Sequence, residues 1–343
     1  MEPGVERPRT SPSQSPLQPP PPKEHNLPQP GGDAEAESAV QGTASRQLLA
    51  RMRSPHLSAA QRVAAGNELM RLGDPRFRPD AWSLPNEPLL GFVEIPAGPF
   101  VMGSAAGHDP EAYPDEAPPH EITLPRYYIG RYPVTGRQFR AFIDHSGHTP
   151  ENEGSLYGPP NHPVVWLAWL DALRYCEWLT ARLRQWPGTP EPIARLLRQE
   201  EWCVTLPSEP EWEKAARGAN GRVYPWGNDS DNNHGNFGGT GIMTTSAVGC
   251  FPSGVSPYGI EDMSGNVWEW TRSVWGVYPY PTEPVERAER EALAVREGVR
   301  RVRRGGAFFS SPRSVRCSVR LGSGPYPHGG GMGCRVVLRP KLP

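Results

Sequence analysis

Cysteine is scarce in this chain: its 343 residues hold five, at 176, 203, 250, 317 and 334, with no CxxC pair. That density and spacing exclude a disulfide-built scaffold and leave reduced thiols packed in a core as the expectation. Net charge is nearly absent too, at -1, so no nucleic acid or acidic polymer is implied as a partner. No apolar run is long enough to span a bilayer, and the amino terminus lacks the basic start and apolar stretch of a signal peptide. A cytoplasmic protein without a membrane span is expected. Also missing are the EF-hand, GxSxG, P-loop and dinucleotide patterns, and any HxxxHxE spacing.

What the chain has in quantity is glycine (37), proline (43) and arginine, which dominates the 36 basic residues. With 36% hydrophobic side chains it can bury a substantial core in a loop-rich fold, as one large domain plus a smaller piece. Residues 1–45 read as a disordered, proline-rich tail. Residues 46–89 read as a short helical preface and linker. Ser58 and Gln61 make a capping box there, Val63, Leu69 and Leu72 a partial apolar stripe, and Gly73 a stop.

The main domain is expected at 90–343. Residues 93–95 and 100–102 suit short strands joined across 96–99, and 120–124 and 127–132 suit two more. Thr135 with Gln138, and Ser208 with Glu211, mark helix starts whose inner faces are Phe139, Phe142 and Ile143, then Trp212, Ala215 and Ala216. Between them, 168–186 keeps a 3.6-residue period through Trp169, Leu173, Cys176, Leu179 and Leu183. Beyond Tyr224 the patterning fades into sequence rich in Asn, Asp and Gly. Such sequence is fixed by hydrogen-bond networks or by a hard cation such as calcium. Asp262, Glu269 and the backbone around Gly265 could supply oxygens for one.

In 301–338, two strand-like pieces, 301–303 and 334–338, bracket a run rich in Gly, Ser and Pro. Phe309, Leu321, Tyr326 and His328 are set in it with no regular period. The run reads as a surface displayed by a rigid scaffold, where binding or catalysis sits.

Seven blocks carry a family resemblance: GFVEIPAGPFVMGS, YYIGRYPVTGRQFRAFI, HPVVWLAWLDALRYCEWL, LPSEPEWEKAARG, YPWGN, GIEDMSGNVWEW and RRGGAFF ending in GCRVV. In this order, over about 90–340, they resemble the formylglycine-generating-enzyme-like, or sulfatase-modifying-factor, family. The resemblance implies an α+β, modified C-type-lectin fold, irregular and loop-rich, with a cleft built largely by the carboxy-terminal segment. It also implies structural calcium, with Asn236 and Phe237 at one site and Asp262, Gly265, Val267 and Glu269 at another.

The oxidase members of the family hold copper on a cysteine pair just after the GG block, where thiolates suit a soft metal. Here residues 306–315 contain no cysteine. The branch that resembles this segment better is the variable proteins of diversity-generating retroelements. In these, adenine-specific rewriting of Asn-type codons changes residues on a lectin-fold surface. Such codons cannot yield Lys, Glu, Gln, Trp or Met, and 309–331 contains none of the five. The resemblance implies a ligand-binding variable region at about 307–338. Its replaceable positions are Phe309, Ser310, Ser311, Ser314, Leu321, Gly322, Ser323, Gly324, Tyr326, Pro327, His328, Gly329, Gly330 and Gly331, with Phe308 flanking them. Gly305-Gly306, Arg316-Cys317 and 333–337 form the frame. The expected ligand is a protein or other macromolecule. The alternative is a non-canonical, metal-dependent oxidoreductase of the same family.

Overall fold

The computed structural model describes residues 32–326 and 329–341. Two helices come first, α1 (Gly32–Met52) and α2 (Ala59–Leu72). The second begins where the Ser58 side chain accepts from the Gln61 backbone and Gln61 returns the bond to the Ser58 N–H, satisfying two amides that a helix start leaves free. The first begins ahead of residue 45, in sequence whose alanines and glutamates favour helix. Leu48 and Met52 pack with Val63 and Leu69 against Ala247, Cys250 and Phe251, so the preface shares a core with the Asn- and Gly-rich section.

The linker carries a small ribbon, β1 (Phe77–Arg78) with β2 (Leu84–Pro85), and sends Leu84 and Leu90 into the largest core. Strands β3 (Phe92–Ile95), β4 (Gly98–Met102), β5 (His120–Leu124) and β6 (Tyr127–Gly130) follow. The first two do not form the expected hairpin, because β3 pairs with β6 and β4 with β5. The chain leaves one ladder for the other at Pro96, whose carbonyl and that of Gly98 both accept from Lys214 Nζ at 2.8 Å.

Helices α3 (Gly136–Ser146) and α4 (Trp169–Gln185) bury the faces their periods define, Phe139 and Phe142 on one and Trp169, Leu173, Cys176, Leu179 and Leu183 on the other. Next come α5 (Ile193–Gln199), β7 (Trp202–Thr205), α6 (Glu209–Arg217), β8 (Trp268–Val274), α7 (Pro284–Arg290), β9 (Arg301–Arg304), β10 (Arg320–Ser323), β11 (Met332–Cys334) and β12 (Val337–Pro340). Both remaining capping boxes, Thr135 with Gln138 and Ser208 with Glu211, are formed.

Two four-stranded sheets result, ordered β3-β6-β12-β7 and β10-β9-β8-β11. Every pairing is antiparallel except β11 with β8. The last strand lies inside the first sheet and β11 edges the second, so 332–340 ties the two together. The strand expected across 334–338 is interrupted at 335–336. A strand absent from the sequence reading, β10, interrupts the run expected to be loop. The architecture is α+β and rich in loops, as expected.

Candidate functional site

Four arginines hold the 301–338 segment to the rest of the fold, and each is at most 3% exposed. Arg304 meets Glu213 and, at 3.3 Å, Glu209. Arg316 forks onto Glu116 at 2.6 and 2.9 Å and also meets Asp109. Arg320 forks onto Glu209 at 2.6 and 2.9 Å, and Arg335 onto Glu269 at 2.8 and 3.0 Å. The carboxylates come from the loop before β5, from α6 and from β8. Two parallel N–H···O bonds fix orientation as well as distance, so the frame is set by directed contacts. Burial alone would push the Glu209 carboxyl up. The guanidiniums of Arg320 and Arg304 outweigh that and hold it below its ordinary value.

Between these anchors several side chains face solvent. Phe309 and Tyr326 are each 50% exposed and Leu321 40%. Ser311 is exposed, and Ser314, Gly322, Ser323, Gly324, Gly329 and Gly330 are partly so. Phe308 and Phe309 meet edge to face, with ring centres 4.9 Å apart.

Two expected surface positions belong instead to the frame. Ser310 is buried: its hydroxyl accepts from the Ala307 N–H at 2.9 Å, and its carbonyl accepts from Gly238 at 2.8 Å. Gly331 is buried beneath Phe309, where a Cβ would come within 2.7 Å of the ring, and its carbonyl accepts from the Trp268 N–H. Gly322 is reachable by solvent, yet a Cβ there would lie 2.7 Å from Trp275. Pro327 and His328 lie outside the described residues. A neighbour that the sequence did not flag is Trp166, 38% exposed, held at φ 54° and packed over Gly330.

The six residues expected to ligate calcium are drawn into one region with unequal freedom. Asn236 and Gly265 meet through a backbone bridge, and the Asn236 amide donates to the Thr244 carbonyl and the Ser246 hydroxyl. Phe237 is buried, and the Val267 N–H is satisfied by the Gly265 carbonyl. Both Glu269 oxygens are occupied, one by Arg335 alone and the other by Arg335 and Trp212 Nε1. Arg335 also donates to the carbonyls of Gly130, Arg131 and Glu261. A guanidinium thus already neutralises the Glu269 oxygens, and Glu269 does not fit a calcium shell in this arrangement. Asp262 keeps more capacity: its carboxylate accepts from Gly249, and burial pushes its pKa up to about 7.

Residues 79–340 match the sulfatase-modifying factor enzyme 1-like domain. The chain belongs to this family. Hercynine oxygenase of Mycolicibacterium smegmatis is 31% identical over 268 residues, covering 66% of this chain and 56% of the relative. The formylglycine-generating enzyme of Thermomonospora curvata is 30% identical over 287 residues, covering 66% of this chain and 84% of the relative. The chain therefore spans about half the length of the hercynine oxygenase it matches. Treponema denticola variable protein 1 superposes with a TM-score of 0.53 at 22% identity, covering 73% of this chain and 95% of that one. That likeness shows the fold, the modified C-type-lectin fold of formylglycine-generating-enzyme-like proteins. The family match begins before residue 90, in keeping with the burial of Leu84 and Leu90.

In this sulfatase-modifying-factor-like domain the five thiols are all unpaired, and four are buried. Burial pushes Cys250 and Cys317 up to about 12 and raises Cys176, Cys203 and Cys334 as well, so none is a ready thiolate. Among the described residues, no three His, Cys, Asp or Glu side chains are grouped to hold a metal, and no helix is long and apolar enough to cross a membrane. A cleft of about 390 Å³ is lined by Asp109, Glu111, Tyr224 and Asp229. It abuts 312–313, where the Tyr224 hydroxyl donates to the Pro312 carbonyl and Arg313 Nε to that of Glu111. A second, of about 320 Å³, shares His108 and is lined by Val101, Arg217 and Asn220. None of the described variable positions lines either cleft.

Proposed function

We propose that this protein binds a macromolecular ligand through the side chains displayed between its arginine anchors, and that a retroelement diversifies those positions. One observation carries the reading: the segment divides into buried guanidiniums clamped by carboxylates and interspersed residues that face solvent. A surface built this way changes its contacts without changing its frame. Phe309, Leu321 and Tyr326 supply apolar contact, and Ser311 and Ser314 supply hydrogen bonding. The displayed face is open, whereas small molecules favour enclosed pockets, and this favours a protein as ligand.

The second reading, a metal-dependent oxidoreductase, is favoured by about 30% identity to hercynine oxygenase and formylglycine-generating enzyme. It requires donors that could come together, and the buried, protonated thiols weigh against them. Structural calcium is proposed in a narrower form, on the Asp262 side alone.

The deciding test is to sequence the neighbouring DNA for a reverse transcriptase gene and a near-copy of codons 307–338. Differences confined to template adenines are expected. A lone gene without a template copy refutes diversification. Measured catalytic turnover with bound copper or iron would favour the second reading.

A further inference from the structure

Arg303 departs from the rule that governs its neighbours. Arg304 and Arg320 meet carboxylates, and Arg301 gives three bonds, of 2.6 to 2.9 Å, to the carbonyls of Arg272, Ala292 and Ala294. Arg303 meets no acid among the described residues. Its Nη1 approaches the Met332 sulfur at 3.2 Å, its guanidinium carbon lies 5.0 Å from the Trp268 ring centre, and its Nε is buried without a partner. A thioether is a weak acceptor and a ring face a modest counterweight. Burial accordingly depresses its pKa, with no neighbouring carboxylate to restore it.

The position of this cation ties it to the displayed face. Arg303 lies directly opposite Leu321 in the antiparallel β9–β10 ladder, and paired residues project to the same side of a sheet. Leu321 is 40% exposed and Arg303 partly so. The apolar Leu321 therefore borders a guanidinium with unused donors. The deeply buried Arg304, Arg316, Arg320 and Arg335 meet carboxylates and Arg301 meets carbonyls, whereas the partly buried Arg303 meets neither among the described residues, so a counter-charge for it comes from outside. A buried charge left without a partner is costly.

We infer that Arg303 is a specificity-determining residue of the displayed face, taking a carboxylate from an acidic peptide segment whose Asp or Glu lies beside an apolar residue. This rests on the ligand-binding reading of that face. A planar fork matches a carboxylate in two bonds, and the half-buried setting strengthens them. Nucleic acid fits less well, because phosphate polymers are held by several cations at once and the chain's net charge is -1.

The test is to pan a displayed library of short random peptides on the full chain, on Arg303→Met, on Arg303→Lys and on Arg300→Met, an exposed-arginine control. Peptides captured by the unaltered chain should be enriched in Asp or Glu beside an apolar residue. Changing that acid to its amide should weaken binding about tenfold or more. The loss should vanish in Arg303→Met, persist in Arg300→Met and survive in part in Arg303→Lys. Thermal melts verify that each variant is folded. Peptides whose capture depends on Phe309, Leu321 or Tyr326 but shows no acidic preference, or no dependence on Arg303, overturn this inference and leave the face a binding site. Capture of no peptide that depends on those three residues refutes the face reading and the inference with it. Displacement of the acidic peptides by short duplex DNA, with the same dependence on Arg303, assigns the cation to phosphate and overturns the carboxylate.

Discussion

Arg316→Met should separate frame from face most sharply. The change keeps much of the side chain's bulk and removes its donors. It leaves Asp109 and Glu116, 4% and 0% exposed, without the guanidinium that meets both. Glu116 would retain the Ser318 hydroxyl at 2.6 Å and the Tyr113 N–H at 3.0 Å, and Asp109 the Glu111 N–H at 3.1 Å. Neutral donors do not balance two buried negative charges, and removing one partner of such a network costs about 3–5 kcal/mol. At about 2–4 °C per kcal/mol, the melting temperature should fall by roughly 6–20 °C. Arg316→Lys should recover only part, since one ammonium cannot reproduce the fork. Ser311→Tyr and Tyr326→Ala, on the displayed face, should stay within about 0.5 kcal/mol of the unaltered chain. Urea and thermal unfolding followed by tryptophan fluorescence and circular dichroism would measure all four. A cost below about 1 kcal/mol for Arg316→Met, or equal costs for the face variants, would refute the division.

Gly331→Val should cost about 1–3 kcal/mol by crowding Phe309 and Ala307, whereas Gly329→Val, with no described residue within 4 Å of its added Cβ, should be tolerated. Equal denaturation midpoints for the two would contradict the assignment of Gly331 to the frame. His162 is buried, bonded at 3.0 Å to Thr245 and to Asn67, and burial depresses its pKa from 6.5 to about 4. The folded state therefore binds fewer protons than the unfolded state between those values. The stability this contributes is present above pH 6.5, is lost as pH falls toward 4, and amounts to about 3 kcal/mol across that window. His162→Asn should flatten the slope, and an unchanged slope in urea titrations at a series of pH values speaks against it. Structural calcium near Asp262 predicts metal by elemental analysis, and a melting temperature that falls on chelation and no longer responds in Asp262→Asn. A metal-free protein indifferent to chelator rejects it.

Helix starts were the most legible part of the sequence, because a capping box needs two residues three apart and nothing distant. All three boxes form. Strand β8 was hidden for the opposite reason. Trp268 to Ser273 are buried on both faces, so no alternation marks them. The arginine anchors were equally opaque: a string of Arg reads as surface charge until its carboxylates, up to 207 positions away, are brought alongside. The outward placement of Phe309, Leu321 and Tyr326 followed from a run that fits no packing period. The burial of Ser310 and Gly331 did not, since it arises from a turn hydrogen bond and from the ring of Phe309.

The anchors also govern when the protein can fold. Asp109 and Glu116 leave the ribosome 207 and 200 residues before the arginine that neutralises them. At ordinary synthesis rates that interval is roughly 10–40 s. Glu209 and Glu269 wait for shorter times in the same condition. Until the carboxy-terminal segment arrives, the nascent chain must keep these acids hydrated and its core open, so closure is a late event and exposure to chaperones and proteases is long.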